Sequence, residues 1–169
     1  LIDKPKGWTS FDVVAKIRST LKNEAGKRVK VGHTGTLDPL ATGMLVIVVG
    51  SYCKRASEFS KLDKMYEVTM KLGEVSSTGD GEGEISVISN DVTAQEDVQK
   101  AIMSFIGEIQ QTPPAFSAIK VDGKRAYKLA REGKEVKIDP RIVVINSIDD
   151  ISYEYPLVTF TTSVSSGTY

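Results

Sequence analysis

The segment GHTGTLDPLATG, residues 32–43, brings together the only histidine of the chain and a carboxylate. His33 and Asp38 lie five positions apart in a stretch that is rich in glycine. Pro39 has a fixed φ and biases Asp38 toward an extended backbone, so the loop can present one carboxylate rigidly. A carboxylate held in this way can act as a nucleophile or as a general base. The alternative interpretation is structural, with an aspartate that shapes a turn and a histidine that is hydrogen-bonded within the loop.

Other catalytic templates are absent from the sequence. It contains neither a phosphate-binding G-x-x-x-x-G-K-[ST] motif nor a G-x-G-x-x-G or G-x-S-x-G motif, which disfavours P-loop proteins, dinucleotide-binding proteins and α/β-hydrolases. With one His and one Cys, a zinc site would depend mainly on carboxylates, which disfavours a zinc protein. A hydrolase that pairs Asp38 with His33 ranks low, because their spacing does not establish contact and no oxyanion-hole motif accompanies them.

Composition indicates one ordinary globular domain. The chain has 169 residues, of which 40% are hydrophobic and 26% charged. No apolar run approaches the roughly 20 residues that a membrane-spanning helix needs. Cys53 is the only cysteine, which rules out an internal disulfide and fits a reducing cytoplasm. We therefore expect a cytoplasmic protein without a membrane partner.

The charge distribution is uneven although the net charge is zero. Residues 1–30 carry eight Lys or Arg against three Asp or Glu, and residues 120–141 carry eight against four. Residues 31–119 carry six against twelve. If the two basic segments converge in space, they form a surface that attracts phosphate groups. The alternative is two separate solvated faces.

Three segments have helical signals. TSFDVVAKIRSTLK predicts a helix near residues 10–22, for which Thr9 and Ser10 are cap candidates. In TAQEDVQKAIMSFIG, Thr93 and Glu96 have the spacing of a capping box at the start of a second helix. RAYKLAREG predicts a short basic helix that Gly133 closes.

Strand signals lie between these helices and after them. The apolar run Met44–Val49 predicts a buried strand. Tyr66, Val68 and Met70 alternate with polar residues, which is the period of a half-buried strand. RIVVINSI and LVTFTTSV, in the last forty residues, are also typical of strands. Strands that follow strands, with helices between the groups, predict an α+β fold with a mostly antiparallel sheet.

The motif GHTGTLDPLATGML closely resembles the catalytic motif of the TruB family, the tRNA pseudouridine synthases that act on the T-loop uridine at position 55. LIDKPKGWTS resembles the family's first motif, and KMYEVTMKLGEVSSTGDGEGE resembles the segment with its tyrosine and acidic turn. QTPPAFSAIKVDGKRAYKLAREG is similar to its RNA-gripping insertion, and VSSGTY to the start of its last catalytic-domain motif. Leu40 stands where guide-RNA-directed relatives typically have Lys, which favours the bacterial-type stand-alone enzymes.

The resemblance implies a domain organisation. Residues 1–169 would form the catalytic domain with the pseudouridine synthase fold, a mixed but mostly antiparallel sheet flanked by helices. The RNA-gripping insertion would span residues about 110–140. In the family, Ile-Arg follows the tyrosine of the last motif, and this arginine pairs with the catalytic aspartate. The chain begins at Leu1 without Met and stops at Tyr169, so we expect a catalytic domain truncated at both ends, with the C-terminal RNA-binding domain absent from this chain. If these 169 residues were the whole molecule, we would expect little activity, because Asp38 would lose its arginine partner.

The reaction implied is the isomerisation of uridine to pseudouridine, without a cofactor or metal. Asp38 is implied as the catalytic carboxylate, which could attack the sugar, attack the base or remove a sugar proton. Tyr66 is implied to stack on the flipped uracil and to help remove its C5 proton. Tyr169 corresponds to a tyrosine that packs near the active aspartate.

The resemblance also implies contacts with the T-stem loop of tRNA. His33 would contact RNA around the flipped nucleotide, and Lys4 belongs to the motif that supports the catalytic loop. Asp80, in the acidic turn, would position the RNA loop or serve a structural role. The phosphate-contact candidates of the insertion are Lys120, Lys124, Arg125, Lys128 and Arg131. We expect a monomer that uses no guide RNA; the alternative function is a non-catalytic module that binds or folds tRNA.

Overall fold

The computed structural model describes residues 1–22, 26–117, 119–121 and 123–169. The chain divides into two compact units, Leu1–Leu62 and Asp63–Tyr169. Each unit has its own sheets and buried residues, and each is described by itself.

The first unit consists of short elements. In chain order they are β1 (Ile2–Lys4), α1 (Ser10–Thr20), β2 (Val31–His33), β3 (Gly43–Leu45), β4 (Ile47–Val49), a 3-10 helix (Gly50–Arg55) and α2 (Ala56–Ser60). β1 pairs antiparallel with β3, and β2 pairs antiparallel with β4. Its buried apolar residues are Val13, Val14, Val31, Leu45 and Val48. Burying these side chains, most of which come from α1 and the strands, stabilises the unit.

The start of α1 confirms the predicted cap. The Thr9 hydroxyl accepts the N–H of Asp12 at 3.1 Å, and the Thr9 N–H donates to the Asp12 carboxylate at 2.8 Å. This reciprocal pair satisfies helix N-terminal donors that have no partner within the helix. Hydrogen bonds from the Thr9 side chain and backbone lower the pKa of Asp12.

The predicted strand Met44–Val49 is wrong as a single buried element. It divides at Val46 into β3 and β4, which pair with different partners. The Val46 carbonyl accepts the N–H of Thr34 at 3.1 Å, and Met44 is 68% exposed. An apolar run does not reveal that its two halves belong to separate sheets.

The second unit is built around a four-stranded antiparallel sheet in the order β5-β12-β11-β8. Its elements are β5 (Lys64–Lys71), β6 (Glu74–Ser76), β7 (Ile85–Val87), α3 (Gln95–Met103), β8 (Gly107–Gln111), β9 (Lys120–Val121), β10 (Lys124–Arg125), α4 (Ala126–Arg131), β11 (Arg141–Glu154) and β12 (Leu157–Val164). β6 pairs with β7, and β9 pairs with β10. β5, β11 and β12 confirm the three strands that the sequence predicted in these segments.

The core of the second unit lies between α3 and the large sheet. Its buried members are Val98, Ile102, Ile145, Ile148, Val158 and Val164. The first two project from α3 at helical spacing, and the others come from β11 and β12. The packing of one helix stripe on one sheet face produces the α+β architecture that the sequence predicted.

The two remaining helix predictions have different outcomes. The capping box at Thr93 is wrong: Ala94 occupies the cap position of α3, and no side chain in the described part of the chain caps this helix. The Thr93 carbonyl instead accepts the Tyr153 hydroxyl at 2.6 Å. Gly133 follows α4 with a φ of +71° and donates its N–H to the Ala130 carbonyl, as predicted.

Among the residues that the structure describes, no helix is both long and apolar enough to cross a membrane. Every strand pair within these residues is antiparallel.

Candidate active site

The loop that carries Asp38, residues 32–43, is anchored on both sides of the aspartate. The Ser10 hydroxyl accepts the N–H of Leu37 at 2.9 Å and donates to the Leu37 carbonyl at 3.1 Å. The Gly7 N–H donates to the Pro39 carbonyl at 2.7 Å. The backbones of the residues immediately before and after Asp38 are therefore held by hydrogen bonds to Ser10 and Gly7.

Lys4 provides a third anchor. It is fully buried, and its ammonium donates to the carbonyls of Trp8 at 2.7 Å, Pro5 at 3.1 Å and Pro39 at 3.5 Å. A buried charge is tolerated only when hydrogen bonds replace its hydration, and these carbonyls supply them. The enclosed ammonium is arranged to support the Asp38 loop rather than to contact RNA directly.

Asp38 itself is exposed at the start of a turn. The Ala41 N–H donates to the Asp38 carbonyl at 3.1 Å, and Pro39 occupies the second turn position, which its fixed φ suits. The anchored flanks and the exposed residue together present an acidic group on a fixed backbone. The sequence predicted a carboxylate presented on a rigid loop, and the catalytic role of Asp38 stays a prediction.

His33 ends β2 and is half-buried. Its Nδ1 lies 2.5 Å from the Gly35 carbonyl. Because a carbonyl only accepts, the proton lies on Nδ1, and this nitrogen is engaged within the loop. This bond disfavours proton transfer between Asp38 and His33 through Nδ1. Nε2 is the ring nitrogen that remains for a contact with a ligand.

Tyr66 lies near the start of β5, opposite Thr162 of β12, and is 37% exposed. Val68 and Met70 on the same strand face are more enclosed. An accessible aromatic ring on a rigid strand is suited to stacking on a nucleic-acid base.

Tyr169 is held on the β8–β11 edge of the large sheet. Its backbone exchanges two hydrogen bonds with the Gln111 amide, and the Arg141 guanidinium lies 5.1 Å from its ring centroid. Sequence reasoning missed both partners. Gln111 is the first residue of the quoted segment QTPPAFSAIKVDGKRAYKLAREG, and Arg141 entered only as one charge of the second basic segment, so neither carried a separate signal.

Asp80 shapes the turn between β6 and β7. Its Oδ1 accepts the Thr78 hydroxyl at 2.6 Å and the Glu82 N–H at 3.0 Å, the pattern by which an aspartate closes a turn. These bonds favour the structural one of the two roles that the sequence left open.

The five insertion candidates are all exposed, and together we call them the basic surface: Lys120, Lys124, Arg125, Lys128 and Arg131. Lys120 and Arg125 face each other across β9 and β10. The hydrogen bond from Lys134 lowers the pKa of Glu132, and the charges of Lys124 and Lys128 add to this effect. The exposed cations of the basic surface would attract phosphate groups.

Within the described ranges, no group of three or more His, Cys, Asp or Glu residues is arranged to hold a metal ion.

Comparison with known proteins defines the class. The family model for the TruB family pseudouridylate synthase, N-terminal domain, matches residues 18–169. The chain therefore belongs to the TruB family, in agreement with the resemblance of its motifs.

Individual relatives carry a common description. The chain is 44% identical to tRNA pseudouridine synthase B of Parabacteroides distasonis over 169 residues, which covers 99% of this chain and 72% of the relative. It is 46% identical over 168 residues to the protein of the same name from Clostridium kluyveri, covering 99% of this chain and 56% of the relative. The Pseudomonas aeruginosa protein of that name is 41% identical and is covered over 54% of its length. The chain thus spans about half to three quarters of these relatives.

Solved structures share the fold. A crystal structure of a Cbf5-Nop10-Gar1 complex matches with a TM-score of 0.70 and 26% identity, covering 99% of this chain and 39% of that chain. A structure of an H/ACA RNP bound to a substrate RNA containing 2'-deoxyuridine matches with a TM-score of 0.65 and 23% identity, covering 99% of this chain and 37% of that chain. These likenesses confirm the predicted pseudouridine synthase fold.

Proposed function

We propose that this chain is the catalytic part of a stand-alone tRNA pseudouridine synthase that isomerises the T-loop uridine at position 55. Membership of the TruB family and the names of its relatives support this function. The structural observation that carries the proposal is the exposed Asp38 on a loop whose flanks are held by Lys4, Gly7 and Ser10.

The reaction breaks the bond between N1 of uracil and C1′ of ribose and forms a bond between C5 and C1′. A proton leaves C5, a proton is bound at N1, and the oxidation state does not change. Asp38 is the proposed catalytic carboxylate, with attack on the sugar, attack on the base and removal of a sugar proton all compatible with its exposure. The anchored loop fixes the position of the Asp38 carboxylate before the substrate binds. Misplacement of a reacting group by about 1 Å can lower the rate about a hundredfold.

The target uridine must leave the RNA stack before it reacts. Extrusion costs a few kcal/mol, and an aromatic platform returns roughly 1–3 kcal/mol per stacked base. We assign this platform to Tyr66, which also helps to remove the C5 proton, and Tyr169 is the third proposed active-site residue. His33, with Nδ1 engaged by Gly35, would offer Nε2 to the RNA.

The basic surface is proposed to hold the phosphates of the T-stem loop, without a guide RNA and with the protein as a monomer. Contacts of this kind position the RNA and carry no sequence information. They also predict an affinity that falls with salt.

Asp38→Asn tests the proposal in the full-length protein. Tritium release from C5-labelled uridine in a T-stem-loop RNA should fall below detection, while RNA affinity stays within about twofold because the side chain keeps its size. Asp149→Asn, at an exposed position of β11, is the matched control and should retain activity. Retained turnover in Asp38→Asn would remove Asp38 from its role, and an inactive but folded native protein would overturn the function.

A second candidate is a non-catalytic module that binds or folds tRNA. The exposed cations of the basic surface favour it, because they need no chemistry to bind RNA. This candidate predicts no pseudouridine from the native protein and unchanged tRNA refolding by Asp38→Asn.

A further inference from the structure

We infer that Gln111 and Arg141 are positioning residues that orient Tyr169 for the isomerisation. The inference rests on the proposed function, which makes Tyr169 an active-site residue. The two side chains hold different parts of the tyrosine, one its backbone and the other its ring.

The Gln111 side chain binds both the backbone N–H and the backbone carbonyl of Tyr169. The Tyr169 N–H donates to Gln111 Oε1 at 3.0 Å, and Gln111 Nε2 donates to the Tyr169 carbonyl at 2.7 Å. The amide side chain thus takes the place of a strand neighbour, with one donor and one acceptor for one residue. Two bonds to a single residue restrict its rotation as well as its position.

Arg141 holds the ring and the turn that leads to it. Its guanidinium lies 5.1 Å from the centroid of the Tyr169 ring, within the range of a cation–π contact, and also donates to the Gly167 carbonyl. Gly167 has a φ of +89°, a backbone conformation that favours glycine, so the glycine of the SSGTY sequence permits the turn.

The start of the same turn is tied to β11. The Ser165 N–H donates to the Val144 carbonyl at 2.8 Å, and the Val144 N–H donates to the Ser165 hydroxyl at 2.9 Å. These bonds hold the chain where β12 has just ended. They do not involve Tyr169, so the orientation of its ring depends on the contacts made by Gln111 and Arg141.

Gln111 and Arg141 form one rung of the sheet. They are direct partners in the antiparallel ladder between β8 and β11. A single rung of the large sheet therefore contacts both the backbone and the ring of Tyr169. A ring held from one rung of a rigid sheet has the arrangement expected of a residue that must meet a substrate in one orientation.

Gln111→Leu in the full-length protein is the first test, because leucine keeps the bulk and removes both hydrogen bonds. We expect kcat for a T-stem-loop RNA to fall about tenfold, with KM within about twofold, since misplacement affects the reacting geometry more than the phosphate contacts. Gln110→Leu, on the adjacent and exposed position of the same strand, is the matched control and should change neither constant by more than about twofold. Equal kinetics for the two variants in an active protein would overturn the inference.

A Tyr169→Ala background separates positioning from general stability. There, adding Gln111→Leu should cause less than about a twofold further loss of kcat, because the residue through which it acts is gone. The same tenfold loss in both backgrounds would show a structural role and contradict the inference. Arg141→Lys should lower kcat in the native background and have little effect in Tyr169→Ala, since lysine keeps the charge but loses the planar fork.

A spectroscopic measurement does not depend on activity. With 3-fluorotyrosine at position 169, Gln111→Leu and Arg141→Lys should each shift or broaden the fluorine resonance, and Gln110→Leu should not. An unmoved resonance in both variants would show that Gln111 and Arg141 do not hold Tyr169. Native protein that shows the expected shifts but makes no pseudouridine would refute the proposed function instead.

Discussion

The Asp38 loop and the basic surface hold their functional side chains by opposite means. In the first unit, Asp38 is exposed while its support is buried, with Lys4 fully enclosed and Ser10 only 2% exposed. In the second unit, all five cations of the basic surface are exposed, and Arg131 contacts a ring of its own helix, that of Tyr127. We expect the loop to fix the position of Asp38, and the basic surface to attract phosphate groups over a distance that salt shortens. Substitutions in the two regions should therefore affect different steps.

The largest effect that would test this contrast is expected from Lys4→Met. The variant removes the ammonium from the carbonyls of Pro5, Trp8 and Pro39, and a hydrogen bond to a charged group contributes about 1.5–3 kcal/mol. We expect single-turnover pseudouridine formation to fall at least about a hundredfold, with RNA affinity changed by less than about threefold. Lys6→Met, an exposed position in the same motif, should behave like the native protein. An equal loss of RNA affinity in Lys4→Met would mean that Lys4 contacts RNA after all.

Ser10→Ala should have a smaller effect on the same step. It removes both hydrogen bonds to Leu37, and a net loss near 1.4 kcal/mol corresponds to about a tenfold lower single-turnover rate. Ser19→Ala, on the exposed side of the same helix, is the control and should retain the native rate. A normal rate in Ser10→Ala would show that the Gly7 and Lys4 contacts suffice to hold the loop.

The basic surface should respond with the opposite pattern. Replacing Lys124 and Lys128 together with glutamine should weaken RNA binding about tenfold at low salt while the rate at saturating RNA stays native. The slope of the logarithm of affinity against the logarithm of salt concentration should decrease by about 1–2, because two phosphate contacts are lost. Lys61→Gln with Lys100→Gln, two exposed lysines outside the basic surface, should leave the slope unchanged. A slower rate at saturating RNA would show that the basic surface also affects the reaction step, and would contradict the contrast with the Asp38 loop.

The smallest effect concerns pH and the cap of α1. Hydrogen bonds to Thr9 lower the pKa of Asp12 below its ordinary 3.8, so the stabilisation is present above that value and is lost as pH falls through the lower folded value. Asp12→Asn should therefore reduce Tm slightly at pH 7, and the difference should shrink below pH about 4, as thermal melts would show. The activity at neutral pH should stay native. A Tm difference that persists at low pH would contradict this account of the cap.

The sequence by itself determined the features that local spacing encodes. The Thr9 cap and the apolar positions of α1 predicted that helix, and the alternation of β5 predicted a strand, because both patterns reflect the period of the backbone. The motif around Asp38 predicted the family. Roles that depend on the joint action of the two units stay predictions: the partnership of Asp38 with Tyr66 and Tyr169, and the convergence of residues 1–30 with 120–141.

Only the tertiary structure decided which distant groups meet within each unit. It divided Met44–Val49 between two sheets and placed Ala94, not Thr93, at the cap of α3. It also enclosed the Lys4 ammonium and joined Gln111 to Tyr169 across 58 positions. The physical reason is the same in each case. A buried or exposed polar group is satisfied by whichever partner the fold brings within hydrogen-bonding distance, and local periodicity carries no record of that partner.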